Sequence, residues 1–251
     1  LTGSMLRNIT THFPSLPEQR KIAGFLRLLD ERIAAQRALI GEMGRLIKGL
    51  NDTIYSRYCT EEETSFSKIG ISYCGLQGKS AEDFGFGKPY ISYLKVHNNR
   101  ILDDSECELV NIRSGERQNL VRHGDVLFTL SSETPEEVGL GAVYLGTKEV
   151  YLNSFCFGIH FINPIVFPPY MAFFISTSYF RKFIFPFAQG STRYNLQKAD
   201  FEKATLHLPN LDHQKKIYAI MKSITHKLEL EKRILQDYLL QKQYLLRQMF
   251  I

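Results

Sequence analysis

A ten-residue phrase that occurs twice, 195 positions apart, constrains this chain more than any other feature of its sequence. The sequence reads FPSLPEQRKI at 13–22 and LPNLDHQKKI at 208–217. The match begins before the phrase, because LRNITTHFP at 6–14 aligns with FEKATLHLP at 201–209. Self-similarity at a fixed spacing indicates a repeated structural unit, so we expect one whole unit and the matching part of a second.

After each phrase, apolar residues recur in alternating steps of four and three, which is the heptad pattern of a coiled coil. The helix-pairing positions in the two copies are Ile22, Leu26, Leu29, Ile33, Ile40, Met43, Ile47 and Leu50, and then Ile217, Met221, Ile224, Leu228, Leu235 and Leu245. Both seams have a polar residue at the same place, Gln36 and Glu231, which can fix the register of a pair. We predict two helices of about 35 residues, roughly 50 Å long, that pair antiparallel as a spacer.

The alternative interpretation is two ordinary amphipathic helices that pack on a globular core, but long seams without caps favour the coiled coil. Pro17 suits a first helical turn, and Asn51 and Asp52 mark the predicted end of the first helix. The predicted segments are a closing strand left from a missing domain at 1–14, a first spacer helix at 15–51, a globular domain at 52–208 and a second spacer helix at 209–251.

The middle of the chain has a different pattern, in which short apolar stretches alternate with Gly, Pro, Asn and Asp. The predicted strands are PYISYLKV at 89–96, CELVNI at 107–112, GDVLFTL at 124–130, GAVYLG at 141–146 and CFGIHFIN at 156–163. One helix, PPYMAFFISTSYFRKFIF at 168–185, interrupts them. The expected fold class is therefore α+β, with one mixed, mainly β domain attached to two long antiparallel helices.

The net charge of +5 lies in the two ends of the chain, since residues 51–205 carry 15 Lys/Arg against 18 Asp/Glu. A middle domain that bound nucleic acid would need local basic patches rather than bulk charge. The four cysteines are far apart with no C-x-x-C pair, which argues against a zinc or disulfide framework and fits a reducing cytosol. The longest apolar run, at 165–175, is too short to span a bilayer.

The motifs that would indicate an enzyme fail in this chain. FPPY at 167–170 resembles the amino-methyltransferase motif, but Phe167 cannot bond a target amine, so we interpret the prolines as a helix start. FGFG at 84–87 has no strand before it and no helix after it, and we interpret it as a flexible turn. There is no P-loop and no cluster with metal-ligand spacing, so we expect no catalytic residue and no metal ligand.

Three polar segments of the middle domain are candidates for DNA contact, because their side chains can reach phosphates or base edges. They comprise Lys95, His97, Asn98, Asn99 and Arg100; Ser131, Ser132 and Thr134; and Gly190, Ser191, Thr192, Arg193, Tyr194 and Asn195. The alternatives are a capped turn at 131–139, with Glu136 and Glu137 in solvent, and a helix-entry loop at 189–195. Arg181 and Lys182 are most simply a solvated helix face.

These residues resemble the specificity subunits of type I restriction–modification systems. The phrase with its heptad helix, FPSLPEQRKIAGFLRLLDERI, is similar to their conserved region. GDVLFTLSSETPEEVG and AQGSTRYNLQKADFEKATLHLPNLDHQKKI are similar to the body and closing edge of their target recognition domains. The resemblance covers nearly the whole chain, and the phrase is a fairly specific signal because it occurs twice.

The resemblance implies that two recognition domains, held apart by two helices, each read half of a bipartite sequence in double-stranded DNA. The subunit is not an enzyme by itself. Modification subunits bind the helices and methylate adenine with S-adenosylmethionine, so no cofactor is expected in this chain, and a restriction subunit completes the nuclease. A bacterial or archaeal cytoplasm, in association with the nucleoid and not with a membrane, is the implied location.

The sequence departs from this pattern because it has two helices and one recognition domain. A half-size subunit, a silent cassette for recombination and a fragment all fit, and a homodimer would restore two recognition domains. The alternative function is a coiled-coil scaffold for protein interaction without specific DNA readout. The sequence does not give the DNA target.

Overall fold

The computed structural model describes residues 14–59, 61–105 and 107–249, and for Met249 the backbone alone. These residues form the expected α+β fold, with a long helix near each end and short strands and helices between them. The chain divides into two units. The first comprises the described residues up to Leu46 and those from Thr225 onward, and the second comprises Ile47–Ile224. The closing strand predicted at 1–14 lies outside the described residues except for Pro14.

The described part of the chain contains seven α-helices and thirteen strands, together with three single-turn 3₁₀ helices. The helices are α1 (Leu16–Tyr58), α2 (Phe66–Ile69), α3 (Tyr93–Asn98), α4 (Pro168–Phe174), α5 (Ser178–Ile184), α6 (Lys198–Lys203) and α7 (Leu211–Met249). The strands are β1 (Glu62–Thr64), β2 (Gly70–Cys74), β3 (Phe84–Ile91), β4 (Ile101–Leu102), β5 (Glu108–Val110), β6 (Val126–Thr129), β7 (Ser131–Ser132), β8 (Gly141–Tyr144), β9 (Tyr151–Leu152), β10 (Cys156–Phe161), β11 (Ala188–Gln189), β12 (Tyr194–Leu196) and β13 (Leu206–Leu208).

In the first unit, α1 and α7 run antiparallel. Gln36 donates from Nε2 to Oε2 and to the carbonyl of Glu231, at 2.7 and 3.0 Å. Asp30, one turn and a half earlier in α1, pairs with Lys242, which lies later in α7. The two polar seam residues that were expected to fix the register therefore meet, and they occupy equivalent positions of the repeat. This contact therefore joins equivalent positions of the two copies.

Burial along the helices follows the predicted heptad positions, each of which is buried or half-buried. Leu29 and Ile33 are the most buried in the first unit, at 9% and 5% exposure. The intervening positions Leu28 and Leu39 are exposed instead. An apolar stripe of this width is what a helix needs to bury one face against a partner.

Helix α1 ends at Tyr58, beyond the end predicted at Asn51 and Asp52. The two polar residues serve tertiary contacts and do not stop the helix. Asn51 is buried and donates from Nδ2 to the carbonyl of Phe173 at 2.9 Å. Asp52 accepts from the backbone N–H and the hydroxyl of Ser178, at 2.7 and 2.6 Å, and so caps α5. Packing against the domain has overridden the local stop signal.

The second unit is built on a five-stranded sheet in the order β2-β10-β6-β8-β4, antiparallel except for the β8–β4 pair. Two three-stranded sheets, β11-β12-β7 and β5-β3-β9, and the β1–β13 pair accompany it. The strand predictions at 107–112, 124–130, 141–146 and 156–163 each contain an observed strand. Sheet β11-β12-β7 joins two of the polar segments, since β12 pairs with β7.

A cluster of aromatic side chains forms much of the core of the second unit. Its fully buried members are Phe66, Phe128, Phe157, Tyr170, Phe174, Phe180 and Phe201. Phe128 stacks on Phe157 with ring centroids 5.4 Å apart, and Phe66 lies 5.0 Å from Phe201. Burial of an aromatic ring removes a large apolar area from water, so this cluster holds α5 and α6 on the central sheet.

Three local predictions in the second unit are wrong. FGFG is part of β3 rather than a turn, with Gly85 and Gly87 at φ +101° and +103° forming an irregularity opposite Val110. The strand predicted at 89–96 ends at Ile91 and is followed by α3. The single helix predicted at 168–185 is two helices, because Thr177 ends α4 and caps α5 by accepting from the N–H of Phe180 at 3.1 Å.

The repeated phrase has the same local hydrogen bond in both copies. Gln19 donates from Nε2 to the carbonyl of Pro14 at 2.9 Å, and Gln214 donates to that of Pro209 at 2.7 Å. Gln214 is fully buried, and it also donates to the carbonyl of Ile165 and accepts from the N–H of Phe167, both at 2.8 Å. The second copy therefore ties the start of α7 to the turn before α4.

Within residues 14–59, 61–105 and 107–249, no helix has the length and apolar character that a membrane span requires. No group of three or more His, Cys, Asp or Glu side chains in that part of the chain is placed to hold a metal ion. Cys59, Cys74, Cys107 and Cys156 are free thiols.

Candidate nucleic-acid interface

Two of the three predicted polar segments are joined by a strand pair. In the β7–β12 ladder, Ser132 lies opposite Tyr194 and Ser131 lies opposite Asn195. Both serines are buried at 4% exposure, so they do not lie on an exposed loop. The loop begins at Glu133, and Thr134 is exposed at the start of the single-turn helix Pro135–Glu137. Ser131 and Ser132 therefore hold the loop and are not themselves open to a ligand.

The remaining polar segment, at 95–100, contacts the loop at 131–137 through α3. The hydroxyl of Tyr93 donates to the carbonyl of Ser131 at 2.8 Å. One turn later, His97 stacks on the Tyr93 ring, and its Nε2 lies 3.9 Å from Oε2 of Glu137. The segments at 95–100 and 131–137 thus lie side by side, although the sequence separates them by about thirty residues. We call the surface formed by 93–100, 131–137 and 190–195 the candidate interface.

The remaining residues of α3 and its end are mostly exposed. Asn98, Asn99 and Arg100 are exposed, whereas Lys95 and His97 are half-buried. The side chain of Asn99 donates to the carbonyl of Lys95 at 3.0 Å, and Asn98 Oδ1 lies 2.8 Å from Nδ1 of His97. Both amides therefore stabilise the end of α3, and reading a base would require them to exchange these bonds.

The β11–β12 hairpin presents Arg193 on the surface. Gly190 has φ +149°, and a Cβ there would lie 2.1 Å from the carbonyl oxygen of Arg193, so only glycine fits this tight turn. Ser191, Thr192 and Arg193 are exposed. The guanidinium carbon of Arg193 lies 5.9 Å from the ring centroid of Phe155. This exposed ring can orient the guanidinium by a cation–π interaction.

Arg181 is not on a solvated face, as the sequence suggested. Its guanidinium donates to the carbonyls of Glu136, Val138 and Gly139, at 2.6, 2.7 and 3.0 Å. Burial lowers the pKa of this guanidinium, but an arginine stays charged at any physiological pH. One side chain on α5 therefore fixes the backbone on both sides of Glu137.

Glu137 carries a defined negative charge within the candidate interface. The hydroxyl of Ser132 donates to its Oε2 at 2.9 Å, and this hydrogen bond lowers the pKa of the carboxyl, with smaller contributions from Thr134 and His97. Desolvation opposes the shift but does not reverse it. Glu137 is therefore ionised at neutral pH and can only accept hydrogen bonds.

The profile of the type I restriction modification DNA specificity domain matches residues 78–237, which is more than half of the chain and includes all three segments of the candidate interface. The chain belongs to this specificity family. No curated protein matches the sequence of this specificity domain.

Two solved structures share the fold of this specificity domain. One is described as the structural basis of complex assembly and conformational transition of the type I R-M system; its TM-score is 0.59 at 17% identity, and the match covers 93% of this chain and 58% of that one. The HsdS subunit from Thermoanaerobacter tengcongensis gives a TM-score of 0.55 at 16% identity, with 95% and 59% covered. The chain thus spans less than two thirds of the length of either.

Sequence reasoning missed several residues of the candidate interface. Tyr93, Phe155 and Arg181 hold its segments, and Glu137 was considered only as a solvated charge. Phe155 and Arg181 had no local signal, because their roles depend on contacts with residues 38 or more positions away. Whether the named residues contact DNA stays a prediction.

A second polar cluster lies outside the three segments. Buried Asp125 accepts from the hydroxyl of Tyr73 at 2.5 Å and pairs with Nδ1 of His160 at 2.7 Å. Gly158 makes room for this arrangement, since a Cβ there would lie 2.2 Å from the Tyr73 ring. The backbone N–H of Arg122 completes the bonds to the carboxylate at 2.9 Å. These bonds join β2, β10 and the turn before β6.

Proposed function

We propose that this specificity domain reads one half of a bipartite sequence in double-stranded DNA for a type I restriction–modification complex, and that it performs no chemistry by itself. The observation that carries the proposal is the convergence of three polar segments, far apart in sequence, on the candidate interface. Arg193 can bond guanine with two hydrogen bonds, and Asn195 can bond adenine. Lys95 and Arg100 supply positive charge that favours the DNA backbone.

Exposed apolar residues on the two long helices support a protein partner there. In the first unit these include Phe25, Leu28, Leu39 and Leu46 on α1, and Leu230, Ile234, Leu240 and Tyr244 on α7. Long helices that carry apolar side chains in solvent are typical of surfaces that bind other helices. We propose that modification subunits dock there and methylate adenine with the S-adenosylmethionine that they bind, and that a restriction subunit joins the full complex in a bacterial or archaeal cytoplasm, close to the nucleoid.

A homodimer would supply two recognition domains and therefore a symmetric bipartite target. Light scattering of the chain, alone and then with DNA or with modification subunit, tests this part of the proposal. A species that stays monomeric under all three conditions argues against the homodimer and leaves the reading of one half-site unaffected.

Sequence-dependent DNA binding is the direct test of the main proposal. Arg193→Ala should weaken binding to the preferred sequence by about 5- to 150-fold, since a two-bond contact with a base contributes about 1–3 kcal/mol. Lys182→Ala is the matched control, because Lys182 is an exposed cation outside the candidate interface. Its loss should reduce affinity little and equally for all sequences. Equal binding to all duplexes by the chain with its modification subunits would refute sequence reading.

A protein-interaction scaffold is the second candidate, which the same exposed apolar residues favour. Leu28→Glu should then abolish partner capture, and Arg193→Ala should change nothing. If both variants lose their respective partners, the specificity function stands and includes docking through the helices.

A further inference from the structure

The position of Glu137 is unusual for a surface that binds DNA. Phosphates repel a carboxylate, and contacts with the backbone favour Lys and Arg. Yet the side chain of Glu137 is 46% exposed between His97 on α3 and Ser132 on β7. If the candidate interface faces DNA, this charge weakens non-specific binding, so a compensating interaction has to be sought at a base edge.

The structure holds Glu137 more firmly than a solvated side chain needs. Ser132, which binds its carboxylate, is buried in the β7–β12 ladder. Arg181 bonds the backbone carbonyls of Glu136 and Val138, the two neighbours of Glu137 in sequence. At Gly139, φ is +65° and a Cβ would lie 2.1 Å from Ile184, so the turn after it is also confined. Base readout requires this kind of fixed geometry, because the reading group must be in place before the DNA arrives.

An ionised carboxylate accepts hydrogen bonds and donates none, which limits what it can read. In the major groove the donors are exocyclic amino groups, N4 of cytosine and N6 of adenine, and acidic side chains typically accept from cytosine N4. We propose that Glu137 reads a cytosine in the half-site through its N4 amino group, with Ser132 and His97 as positioning residues. This inference rests on the proposed function, since it names one base contact of that interface.

Selection of bound duplexes from a randomised pool, followed by sequencing, tests the inference on the full chain, both alone and with modification subunits. Modification subunits without the chain give the background. The wild-type protein should enrich a half-site with one position fixed as cytosine. Glu137→Ala should lower the preference at that position by about 5- to 150-fold and keep the other positions, because a good base contact is worth about 1–3 kcal/mol.

Glu137→Gln sharpens the test, because glutamine both donates and accepts and prefers adenine. The same single position should change from cytosine to adenine. Ser132→Ala should weaken the cytosine preference at that position, while Glu82→Gln, which changes an exposed carboxylate outside the candidate interface, should leave the whole half-site unchanged. A purely structural role for Glu137 would lower affinity for all sequences alike.

Two outcomes overturn the inference and are distinguishable. If the wild-type protein selects a half-site, and both Glu137 variants select the same one or lose all positions equally, Glu137 does not read a base and the proposed function survives. If the wild-type protein selects no sequence under either condition, the proposed function fails and this inference fails with it.

Discussion

The two copies of the repeated phrase share the hydrogen bond from glutamine to proline and differ in the tertiary contacts that surround it. Gln19 and Gln214 each donate to the carbonyl of the proline five residues earlier. Gln19 is exposed, whereas Gln214 is fully buried and bonds the turn before α4 as well. In both copies the glutamine therefore stabilises the helix start through a local hydrogen bond. In the second copy the same side chain also bonds the domain.

The first turns of the two helices show the same division between local and tertiary contacts. Glu18 caps the helix start within the first copy by accepting from the N–H and the hydroxyl of Ser15, at 2.8 and 2.6 Å. In the second copy Asn210 takes the place of Ser15, and its N–H donates to Glu61 at 2.8 Å. A carboxylate stabilises both helix starts, but in the second copy it comes from the segment just before β1.

Removal of the buried glutamine should have the largest effect. Gln214→Ala leaves the N–H of Phe167 and the carbonyl of Ile165 without their partner inside the domain, and should destabilise it by about 2–4 kcal/mol. The equivalent Gln19→Ala should cost less than about 0.5 kcal/mol, because water can replace an exposed bond. Urea unfolding followed by aromatic fluorescence measures both. Equal losses in the two variants would show that the shared proline bond, and not burial, carries the stability.

The apolar positions that follow each glutamine should repeat this difference on a smaller scale. Met221 is fully buried, and the equivalent Leu26 is half-buried. Met221→Ala should cost about 2–3 kcal/mol, since it removes a packed side chain and leaves a cavity. Leu26→Ala should cost about 1 kcal/mol, in proportion to the smaller area removed from water. Thermal unfolding at one protein concentration measures the two, and a larger loss at Leu26 would contradict the difference in burial.

The contact at which the two copies meet should affect register more than stability. Gln36→Leu removes the hydrogen bonds to Glu231 and extends the apolar seam, so the helix pair should gain up to about 1 kcal/mol and lose some of its unique register. Cysteines at positions 30 and 242 report the register by disulfide formation, because Asp30 and Lys242 contact each other. Slower or less complete cross-linking in Gln36→Leu is expected, and unchanged cross-linking would assign the register to other residues.

Patterns with a long period predicted the fold better than patterns within a few residues. The heptads at Ile22–Leu50 and the repeat indicated two paired helices, because a buried stripe must recur at every turn. The predictions for the end of α1 and for FGFG were wrong because contacts with distant residues, such as Asn51 with the carbonyl of Phe173, decided a local conformation. The split of the aromatic helix was missed for a local reason, the cap that Thr177 provides to α5.

The sequence predicted which polar segments form the candidate interface, but it did not predict how they are arranged or which of their side chains are exposed. Polar residues after apolar strands indicated the three segments, but no spacing in the sequence places His97 beside Glu137 or Arg193 over Phe155. Strand pairing between β7 and β12 buried Ser131 and Ser132, which changed them from proposed contacts into supports for the loop. Side-chain chemistry can be read locally, whereas exposure depends on the whole fold.

The caps of the two helices should give the smallest effect, seen in titration rather than in unfolding. The hydroxyl of Ser15, and then its N–H, lowers the pKa of Glu18 below its ordinary value of 4.5. For Glu61 desolvation acts in the opposite direction, but the N–H of Asn210 and then His213 still lower the pKa. Because the pKa is lower in the folded state, each cap stabilises its helix fully at a pH above the pKa of the unfolded chain. This stabilisation is lost as the pH falls through the pKa of the folded state.

Carboxyl NMR should therefore show both glutamates titrating below 4.5. Ser15→Ala should return the pKa of Glu18 toward that value, because the serine hydroxyl is the main cause of its shift, and should leave Glu61 unchanged as the internal control. Movement of both glutamates would mean that the two caps are coupled through the helices. A Glu18 that titrates normally in the wild-type chain would show that its carboxylate does not cap the first copy. The phrase would then start α1 through the bond between Gln19 and Pro14 alone.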